Sequence, residues 1–544
     1  MSPSTARATT RSARRPRTAT RTRSRTRTRT VTAAAAVAGL LALTACGQSG
    51  TVGGSTAGGD DTFTAVMLTG YTTPPDPDVN YDGPGINIIE NTYEGLVAYQ
   101  DGVEEPTIVP ELAEEWTVSD DGLTYTFTLR PGVTFHDGTA LTSEAVAASF
   151  ERRTQVDAGP AYMVGDVVSV ATPDDLTAVV TLAAPNGAFL DYLASPFGVK
   201  LISPAVLADE AGDDFAQTYL TTHDAGTGPY ELTAVETGER YELTAYDGYW
   251  GDAPELTSIE IQVAENASSA QLQLERGEID AILGNLNKTS FESFEGSEDV
   301  TTSTFANFTT QMIYVNPGSA WLADVADREA LFAGIDKESI IDEAMGSLEV
   351  PTDQLFPQGM VDAGIDDQGI AYDEGAWDAL GTPDSGTVRI AYAGSSADGK
   401  AVAEELGSRL STAGIPAEAV AYSAGTIYGI ADEGADGPDL AVFSVFPDAG
   451  HPDAWASIIY TPAGGLDLFG AEVPGLTDLL DTARASEDIT AYAPVAEAIN
   501  ATRYWYSIGS LNTTLLTTPD VTGTTEAQNV LEYDVLHFAA LGRG

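Results

Sequence analysis

The sequence predicts an α/β fold with a large core, and two stretches carry that expectation. Residues 387–422 read strand, helix, strand: the apolar run VRIAYAG, helical apolar spacing from Gly399 to Ala413, then AEAVAY. Residues 226–281 read hairpin, aromatic loop, strand, helix, strand. Alternation of this kind places helices against a sheet. The 544 residues include one cysteine, Cys46, so no disulfide forms within the chain and stability rests on buried apolar surface.

Taken from the start, residues 1–30 hold ten of the 25 basic residues and no acidic one. Val31 to Leu43 then form an apolar run, too short to span a bilayer and suited to a signal-peptide core. It ends in Leu43-Thr44-Ala45-Cys46, which resembles the bacterial lipoprotein cleavage site. That resemblance implies a signal peptide over 1–45 and a lipid anchor on Cys46, each buried methylene contributing about 0.8 kcal/mol. Arg14-Arg15 is followed by Pro16 and lacks the hydrophobic partners of a twin-arginine signal. Residues 46–61, rich in Gly, Ser and Thr, read as a flexible tether, and the folded part begins near Thr62. Beyond the leader, 15 basic residues face 81 acidic ones, a balance of −66. Such a surface repels nucleic acid and anionic lipid. It is either a solvated acidic coat or a field that steers cationic ligands, and composition does not separate the two.

Ile86 to Val97 has helical spacing, and Tyr125 to Leu129 alternates as a strand. Pro131-Gly132 and Asp137-Gly138 mark turns, and Ser143 is placed to cap the helix that follows. Residues 166–200 add two strands and a helix around 188–193. In the stretch 226–281, Gly226-Thr227-Gly228-Pro229-Tyr230 is a turn, and Thr237-Gly238-Glu239 joins the hairpin. Tyr246 to Trp250 is a compact aromatic loop, Ile259 to Val263 a strand, and 268–276 a helix stopped by Gly277. Thr309 to Pro317 is a further strand, Asp327 to Lys337 a helix, and Asp439 to Phe443 a buried strand.

Gly226-Thr227-Gly228-Pro229-Tyr230, Tyr249-Trp250-Gly251 and Gly277-Glu278-Ile279-Asp280 occur in an order and spacing that resemble the dipeptide and oligopeptide-binding family of extracytoplasmic solute-binding proteins, which serve ABC importers. Asn91 to Leu96, Tyr125 to Gly138 and Asp327 to Lys337 extend the resemblance, although Ala333-Gly334 stands where the family usually has Tyr-Ala. The resemblance implies a two-lobed, periplasmic-binding-protein-like (Venus flytrap) α/β fold. It places 62–310 and 505–544 in the first lobe, with a small extra domain at about 106–195, and 311–504 in the second. It further implies a receptor that closes on its ligand and delivers it to permease subunits with cytoplasmic ATPases.

The site-bearing segment is Phe443 to Tyr460, FSVFPDAGHPDAWASIIY. It resembles the family's Asp-x-x-x-Pro-x-x-aromatic segment, in which the first aspartate pairs with a peptide's α-ammonium; by position that is Asp448. The alternative is a turn aspartate, with Asp453 the better helix cap. His451 stands at the cleft mouth in this reading, and Trp455 is either core or ligand wall. Dipeptide-specific members also hold the ligand carboxylate with a base, yet Arg328, Lys337, Arg389, Lys400, Arg409 and Arg484 stand in no recognisable carboxylate-binding motif. This favours longer peptides or another amine. A non-peptide solute such as an oligosaccharide or metal chelate, or a ligand-presenting sensor, is the alternative on the same scaffold.

An enzyme is not expected. The four histidines, at 136, 223, 451 and 537, are far apart in sequence, and neither Gly-x-Ser-x-Gly nor His-Glu-x-x-His occurs. His136 reads as a turn residue. Gly394 to Ala401 follows a strand and opens a helix like a phosphate loop, but Ala401 replaces the Mg²⁺-binding hydroxyl and Asp398 repels phosphate. No cofactor and no metal site is expected.

Overall fold

The computed structural model describes residues 62–544 apart from 69–72, 82, 265, 285, 362–363, 384–385, 463 and 532–534. The leader, Cys46 and the tether lie outside the described residues. Two long strands, Thr301–Val315 and Trp505–Thr517, run antiparallel beside each other in the middle of the main sheet. On one side, Ala281–Leu283 pairs antiparallel with the second of them, and Thr62–Met67 lies parallel between Ala281–Leu283 and Ser258–Val263. Arg240–Ala245 and Tyr230–Glu236 complete this first-lobe sheet as the expected hairpin, with Gly238 at positive φ in its turn. On the other side, Leu440–Val445 pairs antiparallel with the first long strand, and Val388–Ala393 and Ala417–Tyr422 follow in parallel.

The long strands are irregular where the lobes meet. Their register shifts between Ala306 and Thr310 and again between Gln311 and Met312. Bulges of this kind bend a strand and raise its twist. Inside the first irregularity the amide of Phe308 donates to the carbonyl of Val530 at 3.0 Å and that of Thr309 to Asn307 Oδ1 at 2.6 Å, so these two donors are satisfied away from the strand ladder. A separate four-stranded antiparallel sheet, Ala113–Val118, Thr124–Leu129, Thr177–Leu182 and Val167–Asp174, packs beside the helix Ser143–Val156.

Three sequence expectations are corrected. The helix with apolar spacing to Val97 ends at Thr92, because the Thr92 carbonyl receives the amide of Gly228 at 3.1 Å and residues 97–99 become a strand. Ser143 does not cap its helix: its hydroxyl donates to the Asp174 carbonyl at 2.6 Å, and Thr142 occupies the cap position without a side-chain bond. Asp327 to Lys337 spans two helices, Val325–Ala333 and Lys337–Ala344, with Asp336 capping the second through the amide of Ser339 at 3.1 Å. Elsewhere the helix Ala267–Glu275 starts from an Asn266 cap and is followed by Gly277 at positive φ. The phosphate-loop look-alike is a helix start in which Ser396 accepts the amide of Gly399 at 2.9 Å.

Two of the motifs that carry the family resemblance, Gly226 to Tyr230 and Tyr249 to Gly251, meet at one buried carboxylate, Glu94. It accepts hydrogen bonds from the hydroxyl of Thr227 at 2.7 Å, the hydroxyl of Tyr249 at 3.2 Å and the indole of Trp250 at 3.0 Å. Three segments spread over 157 residues are thereby tied together. Burial raises the Glu94 carboxyl's affinity for a proton, and these donors oppose that effect. His136 is likewise structural, its two ring nitrogens engaged by Asp224 and the carbonyl of Gly228.

Candidate ligand-binding site

Leu440–Val445 is a buried strand that ends against the bend in the long strands, Val445 facing Thr310 and Thr310 facing Ser510. The chain leaves it through residues 446–451 and enters the helix Pro452–Ile459, where Pro452 has the fixed φ suited to a first helical turn. This short connection delivers Asp448, His451 and Asp453 to the surface that meets the first lobe.

Asp448 is 6% exposed. Its carboxylate Oδ2 accepts hydrogen bonds from two first-lobe hydroxyls, those of Tyr81 and Tyr162, the latter at 2.5 Å. Its backbone carbonyl accepts from Ser195. Burial pushes the Asp448 carboxyl above its ordinary range, and the hydrogen bonds from Tyr162 and Tyr81 pull it partly back. Around it stand Tyr192, edge-on to Tyr162 at 5.9 Å, and Phe197, edge-on to Tyr81 at 4.9 Å and stacked on Phe446 at 6.2 Å. The result is a buried acid surrounded by aromatic side chains.

Arg153 holds the segments that carry these side chains. Wholly buried, it donates to Asp78 at 2.5 Å and to the carbonyls of Pro77, Pro160, Phe197 and Gly198 at 2.8–3.2 Å. Arg152 beside it forks onto Asp76 at 2.6 and 2.8 Å and reaches Asp78 at 2.5 Å. Tyr81 and Tyr162 each follow within a few residues of a group so held, and Phe197 is held by its own carbonyl. Breaking such a buried network leaves charges unpaired, at a cost of about 3–5 kcal/mol.

The remaining sequence candidates take different places. His451 caps the helix Pro452–Ile459, its Nδ1 accepting the amide of Asp453 at 3.2 Å, and its ring stands edge-on to Tyr492 at 5.3 Å. It is 6% exposed, and burial lowers its proton affinity. Asp453, the expected cap, instead binds Arg484 at 3.1 Å and accepts from Tyr192 at 3.0 Å. Trp455 is fully buried, its indole donating to the Leu355 carbonyl at 3.2 Å, so its ring belongs to the core and presents no face to a ligand.

Further long-range bonds lie near the site. The Tyr99 hydroxyl accepts the amide of Gly450 at 2.9 Å, and the amide of Gly187 donates to the Arg484 carbonyl at 2.9 Å. Each second-lobe base considered as a carboxylate holder has a protein partner: Arg328 the carbonyls of Leu322 and Thr502, Lys337 that of Thr352, Arg389 that of Asp436, Lys400 Glu404, Arg409 Glu405, and Arg484 Asp453. Tyr81 and Tyr162 were not singled out in the sequence, since they lie 367 and 286 residues from the acid they meet.

Among the described residues no group of acids and histidines is arranged to hold a metal ion, and no helix is long and apolar enough to cross a membrane. Residues 107–467 match the family model for bacterial extracellular solute-binding proteins, family 5, middle region. The probable D,D-dipeptide-binding periplasmic protein of Escherichia coli K12 is 30% identical over 300 residues, which cover 54% of this chain and 58% of that relative. The chain thus spans little more than half of that relative's length. The fold is similar to that of a periplasmic binding protein from Helicobacter pylori solved with the peptide STSA, at TM-score 0.73 and 21% identity over 89% of this chain and 98% of that one. It is also similar to a protein from Brucella suis solved with Fe(III)-EDTA, at TM-score 0.77 and 22% identity over 89% of this chain and all of that one. With a two-lobed α/β fold and a family match across about two thirds of its length, the chain belongs to family 5 of the bacterial extracellular solute-binding proteins.

Proposed function

We propose that this protein is the substrate-binding component of an ABC importer, anchored outside the cytoplasmic membrane by a lipid on Cys46, and that it captures peptides by their free amino terminus. It catalyses no reaction in this reading. Ligand sits between the lobes, the long strands act as the hinge, and the closed form is what the permease subunits and their cytoplasmic ATPases engage. The observation that carries the reading is Asp448: a carboxylate at a lobe interface, among aromatic side chains, with no basic side chain bonded to it. In a water-poor cleft such a group interacts strongly with an ammonium. The engagement of the second-lobe bases elsewhere supports a ligand whose carboxylate is not clamped, hence peptides longer than two residues or another amine.

Native mass spectrometry of the protein trimmed at the tether and purified from cell extract should show bound peptides. Calorimetry with a mixed peptide pool should then show Asp448→Ala binding more than tenfold more weakly, over about 1.4 kcal/mol. Equal binding by the variant, or binding of metal chelates or oligosaccharides in place of peptides, would overturn the reading.

A further inference from the structure

The two tyrosines at Asp448 carry a role of their own. Both hydroxyls donate to the same oxygen, Oδ2, and among the described residues no donor reaches Oδ1. Both come from the first lobe, whereas Asp448 belongs to the second. Tyr81 and Tyr162 are 40% and 41% exposed, while the hydroxyl of each reaches the buried acid. Neither position is free to drift. Tyr81 rests on the backbone of Gly159, where an added Cβ would come within 2.7 Å of its ring, and Arg153 fixes Pro77 and Pro160 nearby.

We propose that Tyr81 and Tyr162 are positioning and specificity-determining residues for amine recognition: they saturate Oδ2 of Asp448, fix the carboxylate plane across the closed cleft, and leave Oδ1 as the acceptor for one N–H of a ligand ammonium. This rests on the reading of Asp448 as the ammonium site. Two consequences follow from the geometry. Because each hydroxyl is a donor, the pair favours the charged carboxylate over the neutral acid. A ligand group with no N–H to donate, or no positive charge, gains nothing from Oδ1. Besides the two tyrosines, the ionisable groups of this region are Asp191, Tyr192, His451, Asp453 and Arg484. Asp453 and Arg484 neutralise each other, and Asp191 and Tyr192 are engaged by Tyr99 and Asp453.

The test compares wild type, Tyr81→Phe, Tyr162→Phe and the double variant, with a pool of three- to five-residue peptides and its N-acetylated counterpart as probes. Calorimetry from pH 4 to 8 should show each single variant binding the free-amine pool about five- to tenfold more weakly at pH 7. The acid limb of binding should move to higher pH in the variants, and the preference over the acetylated pool should shrink. Unchanged affinity together with an unchanged pH profile would overturn the proposal. Thermal midpoints within a few degrees of wild type show that the phenylalanine rings keep the fold. A ligand-free readout separates this proposal from the peptide reading: ¹³C NMR of protein labelled at the aspartate carboxyl, with Asp448→Asn identifying the resonance. Asp448 should titrate at higher pH in the double variant even if no peptide binds, and an unmoved titration sinks the positioning role.

Discussion

Glu111 shows how one half-buried side chain sets a pH dependence. Its carboxylate accepts the amide of Gly95 at 2.6 Å, but burial and the nearby charges of Glu94 and Glu90, only partly offset by Lys200, push its pKa up to about 8. The ordinary value is 4.5, so the folded state holds this proton more tightly than the unfolded chain does. Stability contributed by the neutral form is therefore complete below pH 4.5 and is lost as pH rises toward 8. Replacing Glu111 with Gln should remove that loss: the stability gap between wild type and variant should change by about 3–4 kcal/mol between pH 5 and pH 8, in the variant's favour at the higher pH. Denaturant melts at the two pH values check it, and parallel curves would show the carboxyl is not the titrating group. At this scale the strand-to-helix setting of Asp448 was legible, because it is a local pattern. It was silent about Tyr81 and Tyr162, because nothing local distinguishes them among 22 tyrosines. Trp455 was ambiguous for a related reason: an aromatic at helical spacing reads the same whether its face meets core or cleft, and only tertiary packing decides.

At the scale of elements, the turn Gly226-Thr227-Gly228 is fitted to the end of the helix Gly83–Thr92. A Cβ on Gly226 would lie 2.0 Å from the Thr92 carbonyl oxygen, and one on Gly228 2.7 Å from the Thr92 carbonyl carbon. Both obstacles are backbone, which cannot rotate away as a side chain can. The contact also brings Thr227 to Glu94. Gly226→Ala should thus destabilise the protein by about 2–4 kcal/mol, more than an ordinary glycine-to-alanine change in a loop, and should loosen the Glu94 junction. Tryptophan fluorescence reports on the latter through Trp250. A thermal midpoint equal to wild type would show that the helix end yields freely. The same contact explains why the sequence overran this helix. Apolar spacing continues to Val97, but the donor that ends the helix comes from a turn more than 130 residues later. Strands and helices in residues 387–445 were legible because each is set by its own periodicity. Caps at Thr142 and Asn266 were less so, since the competing partner of Ser143 is a carbonyl from a different strand.

The whole molecule combines a closed, hydrogen-bonded lobe interface with an extreme charge. The first lobe reaches Asp448, Gly450, Asp453 and Arg484 through tyrosines, a serine and a backbone amide rather than through ion pairs. Neutral donors suit a chain in which, beyond the leader, acids outnumber bases by more than five to one. The two-lobed architecture itself followed from motif order, whereas the way the lobes meet depends on side chains hundreds of residues apart and had no sequence signature. The charge has a separate, measurable consequence. With bases engaged in local pairs such as Arg152 with Asp76 and Arg484 with Asp453, carboxylates far outnumber the bases left to neutralise them. That repulsion acts over about 10 Å at 0.1 M salt and only about 3 Å at 1 M. It opposes the compact state more than the expanded one, because folding concentrates the same charge in a smaller volume. Raising sodium chloride from 0.05 to 1 M should therefore raise the thermal midpoint by several degrees, with most of the gain below about 0.5 M as the screening length falls beneath the spacing of surface charges. Local pairs are weakened over the same range, but exposed ones contribute only about 0–1 kcal/mol each. A flat or falling midpoint would mean that those pairs outweigh the general repulsion, and that the acidic surface is arranged to cancel its own field.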